Sequence, residues 1–364
     1  MKGSEEPDGE VISSVPTDSG VYYTSHYWND LPRVVAYISE NCTGDPTKSW
    51  QSDFLERFCP DGPFAHGLFA NCGNGWAERD FIDRGIVRKA TAFDYAHDLL
   101  DQAERERGDR DITYFQADAN RVDLGTDLYD LVVNVGALHH VQYINRMAAQ
   151  LCRAMVEGGT LVSYDYVGPG RNQYSRAHWR QVRAANRALP APLRKDRLRQ
   201  PHLPTMLVSD PTEAIHADLV LDSLSRFFTM TEVHQAGGGI AYELLTHNPK
   251  FFGEVPDGEV AAELDVILAQ DRRLGAAGKV PSLFAYYIAR PNKAALGDAS
   301  LDVFQAAEDA RERWAARHRG TYTFAQYFQV QANRAFFAGL RWLPPRLHRW
   351  GLRLGERLSE RFGL

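Results

Sequence analysis

The chain has 364 residues, 44% hydrophobic, 11% aromatic and 24% charged, the composition of a globular protein long enough for one large core with an insertion and an appended segment. A formal net charge of −6 offers no cationic excess to neutralise a phosphate backbone, which argues against nucleic acid as a partner. Cys42, Cys59, Cys72 and Cys152 form neither a CxxC pair nor a Cys/His ligand spacing, so no structural zinc or disulfide framework is indicated and a reducing, cytoplasmic setting is expected.

Residues 1–20 are polar and acidic, without the basic start and apolar run of a secretory signal. No stretch reaches the roughly 18 apolar residues of a membrane span. The segment 21–60 opens with Tyr23, Tyr27 and Trp28 and continues at helical spacing through Leu31, Val34, Val35 and Ile38. It reads either as a helix packed on the core or as an aromatic lid, with Tyr23, Tyr27 and Trp28 touching a substrate.

From His66 onward short apolar runs alternate with helical periodicities, the mark of βαβ units and a parallel sheet. Strands are predicted at 67–70, 90–93, 112–115, 128–135 and 160–164, and helices at 77–84, 97–107 and 143–156. A stretch rich in Arg and Pro at 168–209, with a helix at 175–188, reads as an insertion over the ligand edge of the sheet. Beyond it the pattern predicts a helix at 212–226, a strand at 228–234, helical material to 274 and a last strand at 282–289. The sum is an α/β domain over 61–293, a doubly wound, seven-stranded, mostly parallel sheet with helices on both faces, carrying an inserted helical cap.

A helical extension follows at 294–364. In its tail Leu343, Leu347, Trp350, Leu354, Leu358 and Phe362 recur at helical spacing, with Arg346, Arg349, Arg353, Arg357 and Arg361 on a cationic face. Such a helix can cover the protein's own core, meet a second subunit in a homo-oligomer, or rest on an anionic bilayer.

The first strand empties into Asn71-Cys72-Gly73-Asn74-Gly75, where glycines permit positive φ and close approach of a ligand to the backbone. About twenty residues on, the second strand ends at Asp94-Tyr95, placing a carboxylate where it can accept both hydroxyls of a ribose. The third runs into Asp118-Ala119, a second carboxylate at the same edge. The fourth carries Asn134-Val135-Gly136-Ala137-Leu138-His139-His140, and a helix ending in Glu157-Gly158-Gly159 leads into the fifth, which ends at Asp165.

In motif order and spacing, residues 60–293 resemble the class I S-adenosylmethionine-dependent methyltransferases. The resemblance implies that cofactor. It places Asn71, Cys72, Gly73 and Gly75 beside the methionine part, Asp94 and Tyr95 at the ribose, Asp118 and Ala119 at the adenine, and Asn134 and Val135 facing cofactor and acceptor. Two positions depart from the family pattern: Phe69 stands where an acidic residue is frequent, and Asn71 where glycine is. Asparagine tolerates left-handed backbone, and Glu78 is the nearest carboxylate to replace the missing one. A nicotinamide-dependent oxidoreductase is the alternative on the same architecture, although the wider GxGxxG spacing is not met; a non-catalytic, cofactor-binding adaptor is another.

Methyl transfer to a hydroxyl needs alignment and one general base. His139 and His140 lead as bases, followed by Asp165. Glu213 and His216 would share a helix face, and could bind a divalent metal, act as base and orienting partner, or stabilise the helix; no metal set is assigned. Arg171 and Arg180 of the insertion would suit an anionic acceptor. The expected activity is O-methylation of a small or medium-sized biosynthetic intermediate, natural product or sugar, anionic or lipid-linked in one version. C-methylation of an isoprenoid diphosphate or another alkene is the alternative chemistry.

Overall fold

The computed structural model describes residues 26–195, 198–203, 206–207, 210–253, 257–297, 301–317, 344 and 347. The amphipathic tail and Tyr23 therefore lie outside the described residues, apart from positions 344 and 347.

Seven strands form one sheet in the order β3-β2-β1-β4-β5-β7-β6, which is the predicted architecture. They are β1 (Phe64–Ala70), β2 (Val87–Asp94), β3 (Ile112–Gln116), β4 (Tyr129–Val135), β5 (Met155–Tyr166), β6 (Phe228–Gly237) and β7 (Phe284–Pro291). β1 to β5 pair in parallel, and β7 runs antiparallel to both β5 and β6. The order reverses between β1 and β4, so their C-terminal ends open a crevice at the place where open α/β sheets hold ligands.

Alternation along the strands sorts side chains to two cores. Phe69, Leu131, Val133, Val162 and Ile288 pack in one, while Leu68, Ala70, Val132, Leu161 and Tyr287 pack in the other. Both faces are covered because these strands are apolar on both sides.

On the first face lie α1 (Pro32–Thr43), α2 (Trp50–Phe58) and α3 (Trp76–Asp83), with α4 (His97–Glu106) following β2. α1 starts with proline at its first position and stops at Gly44 in left-handed conformation, the usual asymmetry of helix ends. The Ser49 hydroxyl caps α2 by accepting from Ser52 N. On the second face, α5 (Ile144–Ala154) and α7 (Val220–Phe227) bury Met147, Leu151, Leu224 and Phe227. α6 (Arg176–Ala188) belongs to the insertion; α8 (Ala241–Leu245), α9 (Asp257–Ala276) and α10 (Leu301–Arg317) complete the described helices.

Two local expectations are corrected. Glu157-Gly158-Gly159 is not a helix end: α5 stops at Ala154, Met155 is already extended, and all three residues lie within β5. The helix expected from Thr212 begins only at Val220. Before it, Asp210 Oδ1 accepts from Thr212 N, Thr212 Oγ1 and Glu213 N, Ala214 takes φ 49, and Ala214 O is drawn off by Arg171 N. A tight turn thereby replaces the helical ladder.

α10 docks on α5 and on the insertion. Buried Glu308 accepts from Asn145 N and Nδ2 at 3.1 and 2.7 Å, and Glu312 pairs with buried Arg171 at 2.5 Å. No helix among the described residues is long and apolar enough to cross a membrane, and the four cysteines are free thiols.

Candidate functional site

A cavity of about 990 Å³ lies along the C-terminal ends of β1 to β5. After β1 the chain turns through Asn71 at φ 48, Gly73 at φ 58 and Gly75 at φ 77, so asparagine does adopt the left-handed backbone its position requires. A Cβ on Gly75 would stand 2.5 Å from Tyr114 Oη and 2.8 Å from Ala103 Cβ, so only glycine fits where α3 starts against β3 and α4.

Asp94, at the tip of β2, fixes this turn. Its Oδ2 accepts from Gly73 N and its Oδ1 from Ala96 N, each at 2.8 Å. Burial raises its pKa, opposed by those backbone donors. Beyond β3, Asp118 Oδ1 accepts from Asn120 N at 2.8 Å and Asn120 Nδ2 at 3.0 Å. Asn71, Cys72, Gly73, Asp94, Tyr95, Asp118, Ala119 and Val135 all line the cavity, in the order their spacing predicts.

Gly75, expected beside the methionine part, serves the packing of the turn and is not among the lining residues, and Glu78, Asn134 and Asp165 are also turned away from the cavity. Glu78 is fully buried under the turn, outside the cavity lining; burial pushes its carboxyl up to about 7, opposed by its own backbone N–H and by the Tyr114 hydroxyl. Ala77, Glu78 and Phe81 share the inward stripe of α3, so the helix register itself turns Glu78 away. Asn134 is also fully buried and serves as a brace, donating to Ser163 Oγ at 2.7 Å and Asp165 Oδ2 at 2.8 Å and accepting from Leu138 N at 3.0 Å. Asp165 likewise lies behind the cavity wall, where it accepts from Leu138 N and Tyr166 N as well. It faces His139 and not the cavity.

The base candidate is His139, whose Nδ1 lies 2.6 Å from Asp165 Oδ1 while the ring lines the cavity. With the Nδ1 proton donated to the carboxylate, the lone pair sits on Nε2, and the tautomer is fixed by its partner. Burial disfavours the imidazolium, yet Asp165, with Glu213 and Asp210 further off, outweighs it and leaves the pKa above its ordinary value. The His140 ring lies beside it, tilted by 38° with centroids 4.2 Å apart; burial and then His139 lower its pKa.

His216 is not part of the site. It is buried outside the cavity lining with Nδ1 2.6 Å from Gln142 O, and burial pushes its pKa down to about 4. Because the stretch is a turn, Glu213 and His216 share no face: Glu213 lines the cavity 3.8 Å from His140 Nε2.

Arg171 and Arg180 also fail as acceptor contacts. Arg171 is sealed against Glu312 and Pro211 O beside a second cavity of about 390 Å³, and Arg180 is exposed on α6. No described residue of 168–209 lines the main cavity. Instead the insertion packs on α8 and the loop before it, with His178 Nε2 2.5 Å from Gly239 O. The cover comes from the N-terminal segment, through Tyr27, Trp28, Ile38 and Trp50.

Sequence reasoning missed Trp50, Tyr164, Tyr166, Tyr242 and Phe284, which complete an aromatic wall with Tyr27 and Trp28. Trp28 stacks on Phe284 at 5.3 Å, Trp50 on Tyr164 at 6.3 Å, and Tyr166 meets Tyr242 at 6.3 Å. Tyr164 and Tyr166 flank Asp165 on one strand, so period-two alternation at the end of β5 is a signal that could have placed both on the ligand side.

Residues 68–163 match the model of a family described as a methyltransferase domain. Over those residues the chain is similar to methyltransferase domains, as its motif order and spacing predict. The match supports an enzyme that uses S-adenosylmethionine as its cofactor, against the nicotinamide alternative. Among solved structures it is similar to an S-adenosylmethionine-dependent methyltransferase from Mesorhizobium loti, with 18% identity, 66% of this chain and 97% of that one covered, and a TM-score of 0.42. A phosphoethanolamine N-methyltransferase from Haemonchus contortus gives 14%, 71%, 57% and 0.41 in the same order. No curated protein sequence matches the chain significantly.

The cavity fits this cofactor. It offers carboxylates at two separate strand tips and a turn with left-handed φ at Asn71 and Gly73. Gly136, at φ 62, has nothing within 4 Å of where a Cβ would stand, leaving the loop after β4 open to a ligand.

Proposed function

We propose that this methyltransferase transfers a methyl group to a hydroxyl of an uncharged, ring-bearing acceptor of small or medium size, a sugar being the chemical class that fits best. The His139–Asp165 pair at 2.6 Å, with the histidine ring on the cavity wall, carries the reading.

In this reading Asp94 receives the ribose hydroxyls on lone pairs not used by Gly73 and Ala96, Asp118 faces the adenine, and the turn at Asn71 to Gly73 cradles the methionine end. The cofactor supplies an activated methyl on a sulfonium. His139 Nε2 accepts the hydroxyl proton as the oxygen is alkylated, and Asp165 stabilises the resulting imidazolium. Tyr27 and Trp28 form part of a lid that excludes water.

The acceptor class follows from the lining. The Tyr166 ring lies 5.8 Å from that of His139, and Tyr27, Trp28, Tyr242 and Phe284 line the same cavity, with Thr212, Gln142 and Glu213 among its polar groups. Aromatic faces with a few converging hydrogen-bonding groups suit a polyhydroxylated ring. The two lining arginines stand elsewhere: Arg84 bonds Asp80 and Ser52, and Arg121 lies 4.0 Å from Asp118. No described cation therefore answers a diphosphate, which speaks against the isoprenoid alternative.

The test is a methylation assay with a panel of neutral glycosides, primary amines and prenyl diphosphates. Turnover of glycosides, lost in His139→Ala while demethylated cofactor still binds by calorimetry, supports the reading. Turnover confined to amines or diphosphates overturns it.

A further inference from the structure

We infer that His139, His140 and Glu213 form a binding site for a divalent transition metal, of the zinc or cobalt class, at the acceptor end of the cavity. One ligand atom from each of the three lies within 4.8 Å of the others, and His140 Nε2 is 3.8 Å from Glu213 Oε2. A tetrahedral site with bonds of about 2.0–2.1 Å needs ligand atoms roughly 3.4 Å apart, so modest side-chain rotation closes the set. Two imidazoles and one carboxylate are a donor combination that suits such ions and leaves positions open for an exogenous oxygen.

The second observation is that each of the three is already oriented from behind. His139 Nδ1 is held by Asp165 Oδ1 at 2.6 Å, His140 Nδ1 by Thr212 Oγ1 at 3.1 Å, and Glu213 Oε1 by Asn172 Nδ2 at 3.2 Å. Thr212 is itself fixed through Asp210 at 2.8 Å. Partners of this kind fix ring orientation and the ligating nitrogen, and they distinguish a metal site from a chance cluster of polar side chains. With Nδ1 of both rings held in this way, Nε2 is the ligating nitrogen in each.

The site shares His139 with the proton-accepting role proposed above but does not depend on it, since coordination needs only the lone pair. A metal on Nε2 and a proton on Nε2 exclude each other. Bound metal is therefore expected to compete with the acceptor and to inhibit turnover.

The experiment uses the full chain, stripped with a chelator and titrated with Co²⁺ alone, followed by calorimetry and by visible d–d absorption. One Co²⁺ per chain is expected, with affinity falling at least about 10-fold in His140→Ala and in Glu213→Gln and roughly 10–100-fold in Asp165→Asn. Absence of saturable one-to-one binding, or affinity unchanged in both His140→Ala and Glu213→Gln, overturns the site. Turnover that continues with Co²⁺ bound overturns the role of His139 as proton acceptor and leaves the metal site standing, so the two readings fail separately.

Discussion

At the proposed cofactor end of the cavity Asn71, Gly73, Asp94 and Asp118 all sit at the tips of three adjacent parallel strands, whereas the proposed acceptor end gathers Trp28, His139, Glu213 and Tyr242 from four separate stretches of chain. The first end is held by backbone: Gly73 N and Ala96 N on Asp94, Asn120 N on Asp118. The second is held by side chains bonded to other side chains, as in Asp165–His139 and Thr212–His140. Substitutions at the first should therefore change how tightly the cofactor binds, and substitutions at the second how fast the acceptor reacts.

The sharpest way to break that division is His139→Ala. Removing a positioned general base costs about 10²–10⁴-fold in rate, and the affinity for demethylated cofactor should stay within about 2-fold, since no backbone at the strand tips moves. Turnover numbers and calorimetry on the same preparation decide it. A comparable loss of cofactor affinity would show that the two ends are one unit.

Glu78 tests what lies beneath the cofactor turn. Its carboxyl is raised from 4.5 to about 7 because burial penalises the charge. A raised folded-state value means that the contribution to stability is fully present below about pH 4.5 and is lost as pH rises through about 7. At roughly 1.4 kcal/mol per pKa unit the loss is about 3 kcal/mol. Glu78→Gln abolishes the titration, so its unfolding free energy relative to the parent should improve by about 3 kcal/mol between pH 4 and pH 8 in urea melts. A difference independent of pH would mean that Glu78 is ionised inside the fold.

Asp94→Ala comes next. It removes the acceptor of Gly73 N and Ala96 N together with the proposed ribose contact. Hydrogen bonds to a charged group are worth about 1.5–3 kcal/mol, so the dissociation constant for the cofactor should rise roughly 10–100-fold. The acceptor's kcat at saturating cofactor should change far less. If kcat falls as far as it does in His139→Ala, the carboxylate does more than bind.

The geometry of the proposed cofactor end was legible because it is local. A strand tip, a turn that must take positive φ and a carboxylate on the next strand tip are set by spacing alone, and Asn71 at φ 48 shows the turn surviving without its usual glycine. Glu78 was misread for want of one step, since the stripe Ala77, Glu78, Phe81 already points it inward. Asp165 was legible as a residue at the right edge but not in its role, because strand alternation at β5 gives Tyr164 and Tyr166 to the cavity and Asp165 to His139. The acceptor end has no spacing rule at all. Glu213 reaches it only because Asp210 and Arg171 bend the chain out of a helix, a tertiary effect that no local pattern announces.

The smallest expected effect tests the part of the comparison that sequence reasoning placed wrongly. Arg180 was expected at the acceptor, yet it is exposed on α6 and outside the cavity. An exposed charge away from the site is screened within about 10 Å at ordinary salt, and a surface substitution is worth no more than about 0.5 kcal/mol. Arg180→Ala should therefore leave the acceptor KM within about 2-fold and the melting temperature unchanged. Glu213→Gln, one side chain from His140, should raise KM more than that. Were Arg180→Ala to raise KM about 10-fold and Glu213→Gln to leave it alone, the acceptor would be anionic and would lie against the insertion, and the aromatic wall would be only part of the core.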